Sequence, residues 1–367
     1  MGKKEIGEKK PFFRRLLIFF VAVFAFIALI ATALCAISPH VSPDAFVWTS
    51  YFGLAFWLIL FADVLLFVTL IFLKARKSLM ISLLAFVVAM PGFMRSCSVK
   101  KETFDPGNIK MMSYNVAFYH DVANDRRTWE MVYTDVIHLI RDENPDIVCL
   151  QESGPWSKDR ADDFGRKIGC KYHSVNKFSH RGNIIFSRFP LEDDEYTERF
   201  NASGAAGFVK VVKAGSLGRF YLQNTHLQSY NITKDEIEYL GDTRNYVENS
   251  SKGKSVFTKL RYGFEERTKD TKIIVGNLPG NDMPVIICGD FNDTPLSYTY
   301  QQMKKAGFSD AFLEAGHGVG KTYCGKLPLL RIDYFWHDEN VNVFTFKTIT
   351  KKMSDHYPIV MTFNVSN

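Results

Sequence analysis

Cysteine is scarce in this chain of 367 residues, with six in all, and none forms a C-x-x-C pair or a cysteine–histidine cluster. That excludes zinc held at the usual ligand spacings. Cys35 lies in an apolar run near the N-terminus and Cys97 just past the third such run. Cys149 and Cys288 lie inside apolar runs and read as small buried hydrophobes. Cys170 and Cys324 are able to pair in an oxidising compartment, and sequence alone does not decide whether they do. The second part of the chain also lacks a charge excess. Residues 1–99 hold 10 Lys and Arg against 4 Asp and Glu; of the 45 basic and 39 acidic residues in the chain, 35 of each therefore fall in 100–367. A domain that grips long nucleic acid by its phosphates usually carries a positive surplus. Extended duplex is accordingly not the favoured partner, although a basic pair such as His180-Arg181 could hold a phosphate. Internal repeats and low-complexity tracts are absent too.

What the chain does have is a strongly apolar N-terminal quarter. Leu16 to Ile37 is an uncharged stretch of 22 residues, about 33 Å long as a helix and enough to cross a bilayer. Arg14 and Arg15 stand just before it as snorkelling anchors, and no small-x-small cleavage site follows, so it reads as an anchor rather than a removed leader. A link without Lys or Arg (Ser38 to Asp44) leads to a second span, Phe46 to Leu73, and a basic turn at Lys74–Lys77. The third apolar run, Leu79 to Met94, has only 16 residues, about 24 Å, marginal for a crossing. The basic segments place the N-terminus and the turn in the cytoplasm. If the third run crosses, as expected here, the remainder lies on the extracytoplasmic side of an inner or cytoplasmic membrane. Asp63, a carboxyl inside the second span, is expected to face the other helices and pair with Thr32 or Ser82.

The expected organisation is an anchor over 1–95, a linker over 96–108 and a catalytic domain over 109–367. Strands are predicted at Ile109–Asn115, Ile147–Leu150, Asn183–Arg188, Phe208–Val212, Arg219–Asn224, Pro284–Cys288, Leu330–Trp336 and Tyr357–Phe363. Helices are predicted at Trp129–Arg141 and Lys259–Leu278, with a polar insertion at 230–256. Strand, helix and strand in alternation argue for an α/β sandwich.

Four of these apolar runs end in chemistry. Gln151-Glu152 follows a buried strand, and Glu152 suits an oxygen-loving Mg²⁺ or Mn²⁺. Asn115 closes the first strand. His226 ends Asn224-Thr-His226 and is placed to donate to a non-bridging phosphate oxygen. In Gly289-Asp-Phe-Asn292 the glycine lets backbone approach closely, while Asp290 and Asn292, two apart, point the same way: one to take a proton from water, the other to orient it. Ser354-Asp355-His356 pairs a metal-side carboxylate with an imidazole that Asp333 could hold in one tautomer.

This ordered set, Asn115, Gln151-Glu152, His226, Gly289-Asp290-Phe291-Asn292, Asp333 and Ser354-Asp355-His356, resembles the endonuclease/exonuclease/phosphatase family, as a membrane-anchored, bacterial-type member. The resemblance spans about 109–365. It implies a four-layer α/β sandwich, two packed mixed sheets flanked by helices, preceded here by about three transmembrane helices. It implies Glu152 and Asp355 as metal ligands assisted by Asn115, Asp290 and Asn292 as the water-activating pair, His226 and His356 on the phosphate, and Asp333 behind His356. Abasic-site members carry an acid two residues after the first Asn, where this chain has Ala117. The expectation is a membrane-anchored Mg²⁺-dependent phosphoesterase acting on a lipid-linked phosphate or phosphodiester. A nuclease is the alternative, and an inactive membrane receptor a third class.

Overall fold

The computed structural model describes residues 5–100, 108–121, 126–176, 182–203, 206–233, 236, 250–280, 283–325 and 329–366. His180-Arg181, most of the 96–108 linker and the middle of the 230–256 insertion lie outside them. The chain divides into two compact units, Met1–Arg95 with Pro295–Tyr298, and Ser96–Thr294 with Thr299–Asn367.

The first unit is helical. Glu5–Ile37 is one helix, and Arg76–Ser96 is another of 21 residues. That is about 31 Å, long enough to cross where the apolar run alone was marginal. The helix gains length because Arg76, Lys77 and Ser78 join its front and Arg95 and Ser96 its end. The second expected span, 46–73, is not continuous. It is broken into Trp48–Leu54 and Phe56–Phe72, bent by 69° at Ala55, whose φ −84° and ψ 5° are not helical. Among the described residues, two helices are therefore long and apolar enough to cross a membrane, or up to three if the bent pair is one span. Asp63 is buried and accepts a hydrogen bond from Thr32 Oγ1 at 2.6 Å. Thr32 is one of its two expected partners. Outward faces of these helices carry Phe19, Phe24, Phe61 and Val87, all exposed.

Among the described residues the second unit has fourteen strands: β1 (Ser98–Val99), β2 (Ile109–Asn115), β3 (Ile147–Gln151), β4 (Tyr172–Val175), β5 (Ile184–Ser187), β6 (Leu191–Glu192), β7 (Gly207–Lys213), β8 (Arg219–His226), β9 (Val285–Asp290), β10 (Ser309–Asp310), β11 (His317–Gly318), β12 (Asp333–His337), β13 (Val341–Thr348) and β14 (Ile359–Val365). β1 and β11 form a two-stranded ribbon. The other twelve make two six-stranded mixed sheets, ordered β13-β14-β2-β3-β5-β4 and β10-β12-β9-β8-β7-β6. The expected strands all appear, with shifted ends; Leu330–Ile332 precede β12 rather than open it, while β4 and β13 had no clear alternation in sequence.

The central strands are buried on both faces, which is why they read as continuous apolar runs. Their alternation assigns the layers. Ile109, Met111, Ile147 and Cys149 of one sheet meet Leu222, Ile286, Cys288 and Phe335 of the other in the middle. Met112, Tyr114, Val148 and Leu150 face helices Trp129–Glu143 and Lys158–Ile168. On the opposite outside, Val285, Ile287, Tyr334 and Trp336 pack with Ile274, Tyr300 and Met303. Ile274 belongs to helix Ser250–Gly276, which begins well before Lys259 and takes up the end of the expected insertion. The result is a four-layer α/β sandwich. Cys170 and Cys324 are both free thiols; Cys170 is buried beside the outer helices and Cys324 Sγ donates to the Ser354 carbonyl at 3.0 Å.

The topology also positions chemistry. Each sheet has one parallel pair at its centre, β2 with β3 and β8 with β9. Parallel strands finish at the same edge, so Asn115 stands opposite Gln151 and His226 opposite Asp290. β12 runs antiparallel and begins there, with Asp333 opposite Asp290. β14 starts opposite Ser113, which brings the preceding Ser354–Pro358 segment to the end of β2.

Candidate active site

Asp290 is the centre. Its carboxylate Oδ2 accepts from Asn115 Nδ2 at 2.9 Å and from Asn292 Nδ2 at 3.1 Å, and Oδ1 accepts from the Asn292 N–H at 2.8 Å. Nε2 of His226 and Nε2 of His356 each lie 3.6 Å from the same Oδ2. The side chain of Asp290 is 1% exposed. Burial pushes its carboxyl up to about 7, against the pull of the His356 charge.

Two backbone features make this geometry. Gly289 has φ +132°, and a Cβ there would stand 1.8 Å from the Thr225 carbonyl oxygen, so only glycine lets β9 lie this close to β8. Asn292 turns back at φ +51°, a conformation asparagine tolerates better than most residues, and its amide also donates to the Leu227 carbonyl at 3.1 Å. The loops after β8 and β9 are thereby tied together.

Asp333 accepts from His356 Nδ1 at 2.9 Å, with the imidazole roles set by that bond. Burial works against the charged imidazole, but the Asp333 and Asp290 carboxylates outweigh it and hold His356 well above its ordinary value. Ser354 Oγ donates to the Asn115 carbonyl at 2.8 Å and lies 3.3 Å from Asp355 Oδ1, so one hydroxyl locks the Asp355-bearing loop to the end of β2. Asp355 Oδ1 is 4.0 Å from His356 Nε2.

Glu152 is reached through the other histidine, its Oε1 lying 3.4 Å from His226 Nε2. Its backbone is left-handed, at φ +48°, an unfavourable conformation for glutamate that surrounding contacts must sustain. Those contacts begin with Gln151 behind it, which donates to Ser113 Oγ at 3.1 Å and to Asn224 Oδ1 at 2.8 Å, joining the two sheets.

The donors present fit a hard divalent cation. Glu152 and Asp355 offer carboxylate oxygens whose side chains are 17% and 29% exposed, open enough to exchange water and substrate, and the oxygen-only character suits Mg²⁺, Mn²⁺ or Ca²⁺. Asn115 Oδ1 accepts from the Ala117 N–H at 3.0 Å and retains a second lone pair. A tighter trio, Asp290, Asp333 and His356, has ligand atoms all within 4.8 Å of one another. Its closeness is accounted for by the Asp333–His356 hydrogen bond and the attraction of Asp290 for the imidazole.

Sequence reasoning missed three supports. Thr322 Oγ1 receives the N–H groups of Ile332 at 2.9 Å and Asp333 at 3.1 Å, setting the start of β12. Tyr323 forms an isolated bridge with His356. Arg267, fully buried on helix Ser250–Gly276, lies 3.2 Å from Asp293 and donates to the Gln228 carbonyl at 2.8 Å, bracing the loops after β9 and β8. A lone Arg in a helical stretch carries no signal of such a role.

A two-sheet sandwich with acids, amides and imidazoles gathered at the ends of its central strands defines a metal-dependent hydrolase of phosphoester bonds. The chain belongs to the Endonuclease/Exonuclease/phosphatase family, whose model matches residues 112–356, and the family depends on a divalent metal. Residues 14–96 match a second model, described as a domain of unknown function (DUF8431). YbhP of Escherichia coli (strain K12), described as uncharacterized, is 20% identical over 277 residues, covering 69% of this chain and 94% of that protein. Among solved structures, the human Nocturnin catalytic domain with bound sulfate is 19% identical over 70% of this chain and 94% of its own, with a TM-score of 0.50. An endonuclease/exonuclease/phosphatase from Bacteroides vulgatus is 16% identical over 70% of this chain and 99% of its own, also at 0.50. Both likenesses are of fold.

Proposed function

We propose that the protein is a membrane-anchored Mg²⁺-dependent phosphoesterase acting on a lipid-linked phosphate or phosphodiester. The observation that carries the chemistry is the ring of Asn115, Asn292, His226 and His356 around Asp290 Oδ2. In this reading Glu152 and Asp355, assisted by Asn115, hold the cation, which when bound polarises a phosphoryl oxygen and steadies the leaving oxygen. Asp290 takes a proton from a water oriented by Asn292; its raised pKa suits a base working near neutrality. His226 and His356 stabilise negative charge as it builds on the phosphoryl oxygens, and Asp333 keeps His356 aimed.

The N-terminal unit supports the lipid assignment. A tethered hydrolase meets membrane-borne esters at raised effective concentration, and the neutral balance of 100–367 argues against a long polyanion. The 21-residue length of Arg76–Ser96 favours a crossing, which would carry the catalytic unit to the extracytoplasmic side. The test is a panel assay on the full chain in detergent micelles, offering farnesyl phosphate, a glycerophospholipid and plasmid DNA, with and without EDTA. Metal-dependent release from lipid esters is expected. Cleavage of plasmid alone would assign a nuclease instead, and no turnover on any ester would point to a receptor. Reporter fusions after Lys77 and after Val99 give opposite sidedness if the third helix crosses.

A further inference from the structure

Helix Lys158–Ile168 carries a cation that the mechanism does not use. The guanidinium of Arg160 stacks 4.5 Å from the ring centroid of Trp156, 5.6 Å from that of Tyr133 and 5.8 Å from that of Tyr119. Nη1 donates to the Pro155 carbonyl at 2.8 Å. Among the described residues no carboxylate pairs with it. An arginine set among aromatic rings, partly exposed and without a carboxylate partner among the described residues, is preorganised for a phosphate.

The guanidinium lies close to the chain segment that follows Glu152. Gly154, two residues after Glu152, has φ +76°; a Cβ on it would stand 3.9 Å from Arg160 Nη1 and 4.0 Å from Cδ1 of Phe118. Gly154, itself buried, thus has a guanidinium and an aromatic edge at van der Waals distance from its Cβ position. Phe118 is 48% exposed and held in a costly conformation: Ala117, Phe118 and Tyr119 have φ of +43°, +54° and +61° in succession. The loop is fastened by Phe118 N–H to the Glu152 carbonyl at 2.7 Å and by Ala117 N–H to Asn115 Oδ1 at 3.0 Å. Both anchor residues belong to the proposed cation site. Phe118 is thus a largely exposed ring held by three left-handed residues next to two residues of that site.

We infer that Arg160, Phe118 and Gly154 form a subsite that receives a second phosphate of the substrate, next to the one hydrolysed, with Phe118 walling the apolar side. Resting on the phosphoesterase reading, this narrows the substrate to a lipid carrying two phosphates rather than one.

The test compares farnesyl diphosphate with farnesyl phosphate on the full chain in micelles. Arg160→Gln should lower kcat/KM for the diphosphate at least tenfold more than for the monophosphate, chiefly through KM. Arg160→Lys, which keeps charge without the stacked fork, should recover part of the loss. Lys167→Gln, removing an exposed charge on the same helix, should leave the ratio unchanged. An unaltered ratio in Arg160→Gln overturns the subsite. A loss confined to a 5′-phosphorylated oligonucleotide overturns the lipid assignment. Calorimetry with inorganic pyrophosphate in EDTA reads the subsite without turnover. Wild-type binding that Arg160→Gln weakens at least fivefold supports it even if neither farnesyl ester is hydrolysed, whereas equal binding overturns it. Failure to hydrolyse any ester would reject the catalytic reading separately.

Discussion

His356 and Asp333 form one hydrogen-bonded pair, Nδ1 to Oδ2 at 2.9 Å, although 23 positions separate them. Asp333 opens β12 directly opposite Asp290, so the carboxylate that orients the imidazole and the one the imidazole faces come from neighbouring strands. Asp333→Asn should keep the fold and cost roughly 10- to 100-fold in kcat, the scale of losing a partner that orients a catalytic imidazole. A kcat/KM pH profile on farnesyl phosphate checks it: the acidic and basic limbs should move with little change in KM. An unchanged profile would remove Asp333 from the mechanism.

Asp290→Asn retains the shape of the site but removes the proposed base and replaces one of its two accepting oxygens by an amide nitrogen. Turnover should fall on the order of 100-fold or more, with binding little altered. Single-turnover kinetics at saturating substrate separates the two.

Gly289→Ala places a Cβ against the Thr225 carbonyl in a region L residues avoid. The expected destabilisation is about 1–3 kcal/mol from the backbone conformation alone, and the forced shift of β9 adds to it. Thermal unfolding with and without the cation measures it, and a stability equal to wild type would contradict the close β8–β9 approach.

Glu236 gives a pH test away from the centre. Its buried carboxylate receives Lys259 Nζ at 2.8 Å, Ser255 Oγ at 2.8 Å and the Thr233 N–H at 2.8 Å. Burial alone would raise its pKa, but Lys259 first and these donors with it lower it to about 2 from an ordinary 4.5. A depressed folded-state value means the stabilisation is present above about pH 4.5 and fades as pH falls toward 2. Comparing Glu236→Gln with wild type by thermal unfolding at pH 6 and pH 3 should show a gap at pH 6 that narrows at pH 3.

Much of the fold was legible because the central strands are buried on both faces. Such strands become uninterrupted apolar runs, and the residues that end them, Asn115, Glu152, His226 and Asp290, stand out by contrast. Edge strands gave weaker signals: Tyr172–Val175 is only half-buried, and Val341–Thr348 carries a register shift between Val343 and Thr345 that interrupts alternation. The break at Ala55 was not anticipated from hydropathy, although Trp48–Leu54, with Thr49, Ser50 and Gly53, is more polar than Phe56–Phe72.

The sequence by itself determined which side chains terminate the strands, and so the kind of chemistry the chain carries, because apolar periodicity and local spacing are properties of neighbours along the chain. Only the tertiary structure decided who meets whom: that Asp290 faces two histidines, that Ser354 locks to the carbonyl of Asn115, that buried Arg267 braces two loops, and that Arg160 lies over the Trp156 ring close to Gly154. Those relations depend on the register of β8, β9 and β12 and on two sheets closing over one core. Long-range packing sets them, and no local pattern of residues encodes it visibly.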